Sequence, residues 1–323
     1  MYTIQHYTAL HFKQWNDFVV QSKNGTFLFH RDFMDYHANR FNDYSLIVYE
    51  GQKVVALLPA HRTDNIVYSH WGLTYGGLVL NTKTKLSDVI NIVKQLLQYL
   101  HEKGISKLNI KAIPYIYHKI PAQEIEYALF LANAKMIRRD SLFVIEKSSA
   151  ITFTKTRREA ISRGYKNDLK IIEEPAFESF WNEILIPNLT TKHDAKPVHT
   201  AAEITMLHKK FPYNIRHFNV YHNNVIVGGT TVFITDTVAH PQYISGNKDK
   251  NQLGSLDYLY AHLITNVFKD KKYFDFGISN EDGGRKLNGG LAFWKESFGA
   301  RTIVHDFYEV ETANFGLLEN VLI

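Results

Sequence analysis

The stretch NIRHFNVYHNNVIVGGTTVFITDTVAHPQYIS, residues 214–245, decides the fold of the second half of the chain. It contains three runs rich in β-branched and aromatic residues, at 214–222, 225–234 and 238–245. Asn223-Asn224 separates the first two runs and is a typical two-residue hairpin turn. The stretch therefore predicts a meander of three antiparallel strands.

A helix and a further strand follow this meander. Apolar residues recur at helical spacing from Ser255 to Phe268, and YFDFGI, residues 273–278, has the composition of a strand. A helix that joins consecutive strands is typical of a parallel crossover, whereas a hairpin is antiparallel. The second half is therefore predicted to carry a mixed sheet.

The first half repeats this order of elements without obvious sequence identity. Gly51-Gln52 lies between its first two β-rich runs and predicts a hairpin. The predicted elements are strands at 44–50, 53–62 and 65–70, a helix with Ser87 as N-cap and Gly104 just past its end, and a strand at 106–113. A meander, a helix and a strand thus occur twice in the chain.

This repetition predicts the domain organisation. At 323 residues and 37.4 kDa, the chain has the length of two medium-sized domains. We predict an α/β protein (α+β, with mixed sheets) made of two tandem domains, residues 1–148 and 149–323, with the boundary near Ser148-Ser149. A basic helical stretch, residues 154–170, is placed near the start of the second domain.

Composition excludes several classes of chemistry. The chain has no cysteine, which rules out disulfides, a thiol nucleophile and thiolate metal ligands. It has no H-E-x-x-H or comparable spacing, so we expect no metal. It has no signal-like N-terminus and no run of about eighteen apolar residues, so we expect a soluble cytoplasmic protein without membrane contact. The net charge of +5 suits a small anionic ligand at least as well as nucleic acid.

Three segments carry a resemblance to a known family. FDFGISNEDGGRKLNGGLAFWKESFGAR (274–301) resembles the closing motif of Fem-type and related GNAT-like acyltransferases, in which a DFG-like strand end precedes GL-x-F-x-K-x-x-F-G. YGGLVL (75–80) resembles the family's Gly-rich N-domain strand, and TRREAISRGYKNDLKI (156–171) resembles its Arg-rich helix. The resemblance covers nearly the whole chain. It implies two tandem GNAT-like domains and an enzyme that transfers an acyl group to an amine.

The resemblance also implies roles for residues and indicates a branch of the family. Lys295 falls on the lysine that stabilises charge at the acyl group, with Trp294 as its aromatic neighbour. Fem enzymes bind a nucleotide diphosphate through a lysine and an arginine. In this chain His37 occupies the position of the lysine. The run HDAKPVH, which begins with His193 and ends with His199, matches the segment that carries the arginine. The loss of two fixed positive charges argues against a peptidoglycan precursor.

Three functions follow as hypotheses. The leading one is an acyl-coenzyme A-dependent N-acyltransferase that modifies a nucleotide-linked amino sugar for surface polysaccharide synthesis. The alternative is an aminoacyl-tRNA-dependent peptidyltransferase of the Fem type that acts on a peptidoglycan precursor. The third is a non-catalytic module that binds nucleic acid or protein, which salt-sensitive binding without thioester turnover would favour.

Acyl transfer to an amine requires a base. Neutral imidazole or a partly dry carboxylate can accept an ammonium proton, so the candidates are His193, His199, His240 and Glu281. Glu281 follows the carboxyl end of a strand, where such sheets open their ligand crevice. With Lys295, we expect Glu281 and His193 to be catalytic.

Binding residues are predicted on both sides of the reaction. For coenzyme A, a splayed strand would hold the thioester carbonyl, and the turn before the Ser255 helix would hold the pyrophosphate. The usual Q/R-x-x-G-x-G/A motif is absent from this turn. The alternative is therefore a plain capped helix. The residues expected at the cofactor are Ser245, Gly246, Leu253, Gly254 and Ser255. The residues expected at the substrate are His37, Tyr75, Arg157, Arg158, His199, His240, Tyr243 and Trp294.

Two of these assignments have structural alternatives. Arg157 and Arg158 would pair with diphosphate oxygens or form a solvated basic helix face. Tyr243 should face away from His240 in a regular strand, unless a bulge at Pro241 breaks the alternation.

Overall fold

A computed structural model describes residues 2–193 and 195–323, with only the backbone of Lys192 and His193. The chain forms two compact units, Met1–Asp140 with Val304–Ile323, and Ser141–Ile303. The units differ from the domains 1–148 and 149–323 expected from sequence. The reason is that the C-terminal segment packs into the first unit, where Val310 and Leu318 are part of the hydrophobic core.

The strands range in length from two to twelve residues. They are β1 (Tyr2–His6), β2 (Leu46–Glu50), β3 (Lys53–Leu58), β4 (His61–Thr63), β5 (Ile66–Tyr68), β6 (Val79–Leu80), β7 (Lys107–Lys111), β8 (Lys135–Glu146), β9 (Lys170–Glu173), β10 (Ile215–His222), β11 (Val225–Ile234), β12 (Val238–Gly246), β13 (Tyr273–Ile278), β14 (Asn280–Glu281), β15 (Lys286–Leu287) and β16 (Arg301–Glu311).

The helices lie between these strands. They are α1 (Phe12–Gln21), α2 (Arg31–Met34), α3 (Leu86–Glu102), α4 (Glu124–Leu131), α5 (Lys155–Lys166), α6 (Phe177–Phe180), α7 (Ile186–His193), α8 (Ala201–Lys210), α9 (Lys250–Leu253), α10 (Ser255–His262) and α11 (Gly289–Glu296). A π-helical turn, Trp181–Leu185, joins α6 to α7. A second π-helical turn, Leu263–Val267, extends α10. In the described residues no helix is long and apolar enough to cross a membrane.

The first unit contains two groups of paired strands. β1, β2, β3 and β6 pair antiparallel in that order. β5 pairs antiparallel with β4 and parallel with β7, and β7 pairs antiparallel with β16. Helix α3 buries one apolar face, from Val89 to Leu100, in the core of this unit. Its N-cap is Lys85, so Ser87, the predicted cap, lies inside the helix.

The second unit has a mixed sheet in the order β8-β13-β12-β11-β10-β9. β12 and β13 are parallel, and the other pairs are antiparallel. Asn223 and Asn224 both have positive φ, 49° and 63°, as the predicted two-residue hairpin turn requires. The core contains Leu259 and Phe274 from the crossover, together with Phe298 after α11. The mixed α/β architecture predicted from sequence is therefore confirmed.

Candidate functional site

A gap opens in the sheet of the second unit between β12 and β13. These strands pair only at Val238 with Tyr273 and at Ala239 with Phe274. Beyond Ala239 the edge of β12 that faces β13 has no strand partner in the described part of the chain. The N–H groups on this edge at Ile244 and Gly246 therefore have no strand partner among the described residues and are available to a ligand.

The register of β12 shows which amides face the gap. The N–H of Asn247 donates to the carbonyl of Val227 on β11 at 2.9 Å. Because the direction of backbone groups alternates along a strand, the N–H groups of Ile244 and Gly246 point away from β11 and toward the gap. A strand that parts from its neighbour thus offers directed amide donors.

A cavity of about 470 Å³ borders this part of β12, and we call it the strand-gap cavity. Its walls come from β12, the segment from α6 to α7, the start of α10, and α11. The lining residues are Leu185, Asn188, Leu189, Ile244, Ser245, Lys250, Asn251, Leu256, Asp257, Asn288, Gly290, Leu291 and Trp294. Its volume and its mixture of apolar and amide side chains are typical of a small-molecule site.

A buried ion pair forms one wall of the strand-gap cavity. Asp257 Oδ1 accepts hydrogen bonds from the Arg157 guanidinium and from Trp294 Nε1, the latter at 2.8 Å. Arg157 Nε also donates to Ser297 Oγ at 2.8 Å, and the guanidinium lies 4.7 Å from the centre of the Phe298 ring. Burial lowers the pKa of Arg157, while the charge of Asp257 opposes this shift. The side chain of Arg157 therefore fixes the position of the Asp257 carboxylate.

His240 lies at the closed end of the gap, next to β13. Its Nδ1 is 3.0 Å from the carbonyl oxygen of Asp275 and 3.3 Å from the Asp275 carboxylate. Both neighbours are acceptors, so Nδ1 carries the proton in the neutral ring and Nε2 has the lone pair. Asp275 is itself held by the N–H of Gly277 at 2.8 Å. The proton-accepting atom of the neutral ring is therefore Nε2.

Lys295 of α11 contacts the same turn of β13. Its Nζ donates to the carbonyls of Gly277 and Ile278 at 2.9 and 2.6 Å. The side chain is 4% exposed, and burial lowers the pKa of Lys295 to about 8, against the opposing effect of Asp275. Lys295 is not among the residues that line the strand-gap cavity. It adjoins the closed end of the gap, where Gly277 contacts both it and His240.

The turn before α10 does not form an open phosphate cradle. Gly254 has φ of 70°, and a Cβ there would lie 2.3 Å from the carbonyl oxygen of Ala160 in α5. Ser255 is fully buried and Leu253 nearly so. The start of α10 is thus covered by α5, and the turn expected to hold a pyrophosphate is closed. At Gly246, the remaining glycine of that prediction, a Cβ would lie 3.0 Å from Cβ of Lys250.

Asn188 joins the predicted cofactor residues on β12. Its Nδ2 donates to Ser245 Oγ at 2.7 Å and to the Gly246 carbonyl at 2.6 Å. Ser245 lines the strand-gap cavity, as does Trp294 from the closing motif. Two predicted site residues from distant parts of the sequence therefore meet at one cavity.

Other predicted residues lie elsewhere. The side chain of His193 is outside the described part of the structure. Glu281 is exposed on the β14–β15 hairpin and accepts a hydrogen bond from Asn288 Nδ2 at 3.2 Å. Arg158 is exposed and donates to the Phe153 carbonyl at 2.6 Å.

His37 and Tyr75 belong to the first unit. His37 is buried, with Nδ1 2.6 Å from the carbonyl of Met34 and its ring stacked on Tyr36. Tyr75 is also buried, and its hydroxyl lies 3.1 Å from Thr26 Oγ1. Their contacts are those of core side chains, and both residues stay candidates for acceptor binding only as a prediction.

His199 and Tyr243 form a buried pair in the second unit. His199 Nδ1 lies 2.5 Å from the Tyr243 hydroxyl, which also accepts the N–H of His199 at 3.1 Å. A bulge at Gln242 shifts the register, so His240 lies opposite Phe233 and Tyr243 opposite Thr231. Tyr243 and His240 therefore share a face of the sheet, as the bulged alternative predicted.

A second, larger cavity of about 1100 Å³ lies on the other side of the segment from α6 to α7, next to α8. We call it the helix-pair cavity. Its lining residues are Glu178, Trp181, Asn182, Ile186, Thr190, Lys196, Pro197, His199, Thr200, Ala201, Ala202, Thr205, Met206, Lys209 and Lys210. Sequence reasoning did not identify this cavity.

Asp257 and Asn188 were also missed. An acidic residue in the first turn of a helix is ordinarily explained by the helix dipole, so Asp257 gave no separate signal. In the described residues no group of three or more His, Asp or Glu side chains is placed to hold a metal ion.

Comparison with known proteins identifies the fold. No protein-family model and no curated protein matches the sequence. Among solved structures, FemX is similar over 98% of this chain and 99% of its own, with a TM-score of 0.67 and 8% identity. The C-terminal domain of a putative lysylphosphatidylglycerol synthetase from Agrobacterium fabrum is similar over 96% and 95%, with a TM-score of 0.63 and 13% identity.

A tandem GNAT protein from the clavulanic acid biosynthesis pathway is similar over 97% of this chain and 99% of its own, with a TM-score of 0.50 and 10% identity. At these identities the likeness concerns the fold. The chain has the fold of tandem GNAT-like proteins, as its sequence predicted.

Proposed function

We propose that this protein is an acyltransferase that moves an acyl group onto an amine at the gap between β12 and β13. The observation that carries the proposal is the gap itself, which has directed amides on one side and His240 and Lys295 at its closed end. The tandem GNAT-like fold supports the same reaction class.

The reaction would be aminolysis of a thioester. The amine nitrogen forms a bond to the acyl carbon, its proton passes to Nε2 of His240, and the carbon–sulfur bond breaks to release a thiolate. The N–H groups of Ile244 and Gly246 lie four and six residues along β12 from His240, so they would bind the arm of the donor and not the acyl oxygen. Lys295 has three N–H bonds and uses two on main-chain carbonyls, which leaves one for the negative charge that develops on the oxygen.

The leading donor is acyl-coenzyme A, and the strand-gap cavity fits part of it. Asn251 offers an amide group and Asn188 an Oδ1 acceptor that match the amides of the pantetheine arm, and leucines line the remaining wall. The pyrophosphate cannot use the buried amides of Gly254 and Ser255, so Lys250 at the cavity is its candidate partner. The leading acceptor remains a nucleotide-linked amino sugar.

One observation favours an aminoacyl donor as a second candidate. Asp257 places a carboxylate at the wall of the cavity, and a carboxylate there would bind the α-ammonium group of an aminoacyl ester. An acyl-coenzyme A with an uncharged chain has no such group.

Thiol release tests the proposal directly. The chain has no cysteine, so a thiol reagent would report only free coenzyme A. We expect release from acetyl-coenzyme A in the presence of amino sugar nucleotides, a large loss of rate in His240→Gln, and no change in Lys269→Ala, an exposed control. An aminoacyl-tRNA assay, with and without ribonuclease, tests the second donor. Failure of the wild-type protein with both donors would exclude the proposed reaction.

A further inference from the structure

The helix-pair cavity has a continuous apolar wall. Ile186 and Met206 face it from the two helices, and Pro197 and the small side chains of Ala201 and Ala202 complete that wall. Ile186 is 37% exposed, so its side chain is accessible to a ligand in the cavity. At about 1100 Å³, the cavity is large enough for a drug-sized ligand.

Three of the polar groups that line the helix-pair cavity form hydrogen bonds inside the protein. Trp181 Nε1 donates to the His199 carbonyl at 2.9 Å, and Thr205 Oγ1 donates to the Ala201 carbonyl at 2.7 Å. Thr200 caps α8 by accepting the N–H of Glu203 at 3.1 Å. A sugar or a nucleotide base requires several directed partners, and these groups are already committed.

The charge of the lining is unbalanced. Among the described residues of the lining, Lys196 and Lys209 contribute positive charge and Glu178 contributes the one carboxylate. Lysine side chains can lay their aliphatic stems on an apolar ligand while the ammonium reaches a head group. The lining therefore attracts a ligand with an anionic end and an apolar body.

We infer that the helix-pair cavity is a binding site for an anionic amphiphile, an alkyl chain that ends in a phosphate or a carboxylate. The chain lies on Ile186, Pro197 and Met206, and the head group lies at Lys196 and Lys209. This site is separate from the strand-gap cavity, and its existence does not depend on the transfer reaction. The two cavities share the segment from α6 to α7, which presents Leu185 and Asn188 to the strand-gap cavity and Ile186 to this one.

Calorimetry with decyl phosphate and decanoate, both below their micelle concentrations, tests this inference. We expect one amphiphile molecule to bind per chain. Whichever of decyl phosphate and decanoate binds with the higher affinity identifies the head group. We expect no binding of decyltrimethylammonium or of inorganic phosphate. The double variant Lys196→Ala/Lys209→Ala should weaken binding at least fivefold, and Lys269→Ala, an exposed lysine outside the cavity, should not.

A cavity-blocking variant and the charge dependence of binding test the inference further. Ala202→Trp should fill the cavity and abolish binding, and circular dichroism checks that this variant is folded. If it does not fold, the lysine double variant still decides, because both lysines are exposed. Equal binding of the cationic amphiphile, or unchanged affinity in the lysine double variant, would overturn the inference.

Discussion

Replacing His217 by Gln should reduce the acid sensitivity of the second unit. His217 is 2% exposed and lies among the rings of Phe177, Phe180 and Trp181. Its Nε2 donates to Asn219 Oδ1 at 2.9 Å, so Nδ1 is the acceptor for the Thr231 hydroxyl at 2.8 Å. The native state therefore holds a neutral imidazole.

The magnitude follows from the pKa. Burial lowers the pKa of His217 from 6.5 to about 4, although the hydrogen bond to Asn219 and the charge of Glu174 oppose the shift. The unfolded chain takes up the proton first as the pH falls, so the stabilising contribution is complete above pH 6.5 and is lost below it. Between pH 8 and pH 5 the wild type should lose about 2 kcal/mol through this group.

Urea unfolding at both pH values, followed by circular dichroism, measures the effect. His217→Gln should be less stable than the wild type at pH 8, because it loses packing and hydrogen bonds. The difference should shrink by about 2 kcal/mol at pH 5, because the variant has no proton to take up there. His101→Gln, at an exposed position, is the control for removing an imidazole from the surface. An equal difference at both pH values would refute the reasoning.

Three further predictions concern the transfer site and the elements that support it. Gly254→Ala should lower the free energy of unfolding by about 1–3 kcal/mol, because of the positive φ and the close carbonyl of Ala160, and thermal melting checks it. Asp257→Ala should cost about 3–5 kcal/mol by leaving Arg157 buried without its partner, and Arg157→Met in the same chain should restore part of this loss in urea unfolding. Lys295→Met should lower kcat about tenfold or more with little change in KM, and equal losses in Lys295→Met and Lys295→Arg would exclude a charge-specific role.

The order of elements was predictable from the sequence because it depends on local signals. The paired asparagines at 223 and 224 specify their own turn, and α3 has an apolar face that repeats at helical spacing. The segment from α6 to α7 gave no such signal. Pro187 has no N–H to donate within the helix, and a π-helical turn precedes it, so the apolar residues do not recur with one period.

The candidate site was less predictable because it depends on contacts between distant residues. Arg157 lies in a strongly basic helix, and only its packing on Phe298 and its pairing with Asp257 make it a buried residue. The role expected for Gly254 and Ser255 depended on exposed amides, which the contact with α5 removes. The relation of His240 to Tyr243 was one of two alternatives left open by the sequence, since Pro241 marked a position where a strand could bulge.

The return of the C-terminal segment to the first unit has a consequence for folding during synthesis. The second unit is continuous in sequence and can acquire its internal contacts before residues 304–323 have left the ribosome. The first unit begins earlier but lacks Val310 and Leu318 until the segment after residue 303 has also been synthesised. The domain that is made first is therefore the one that is completed last.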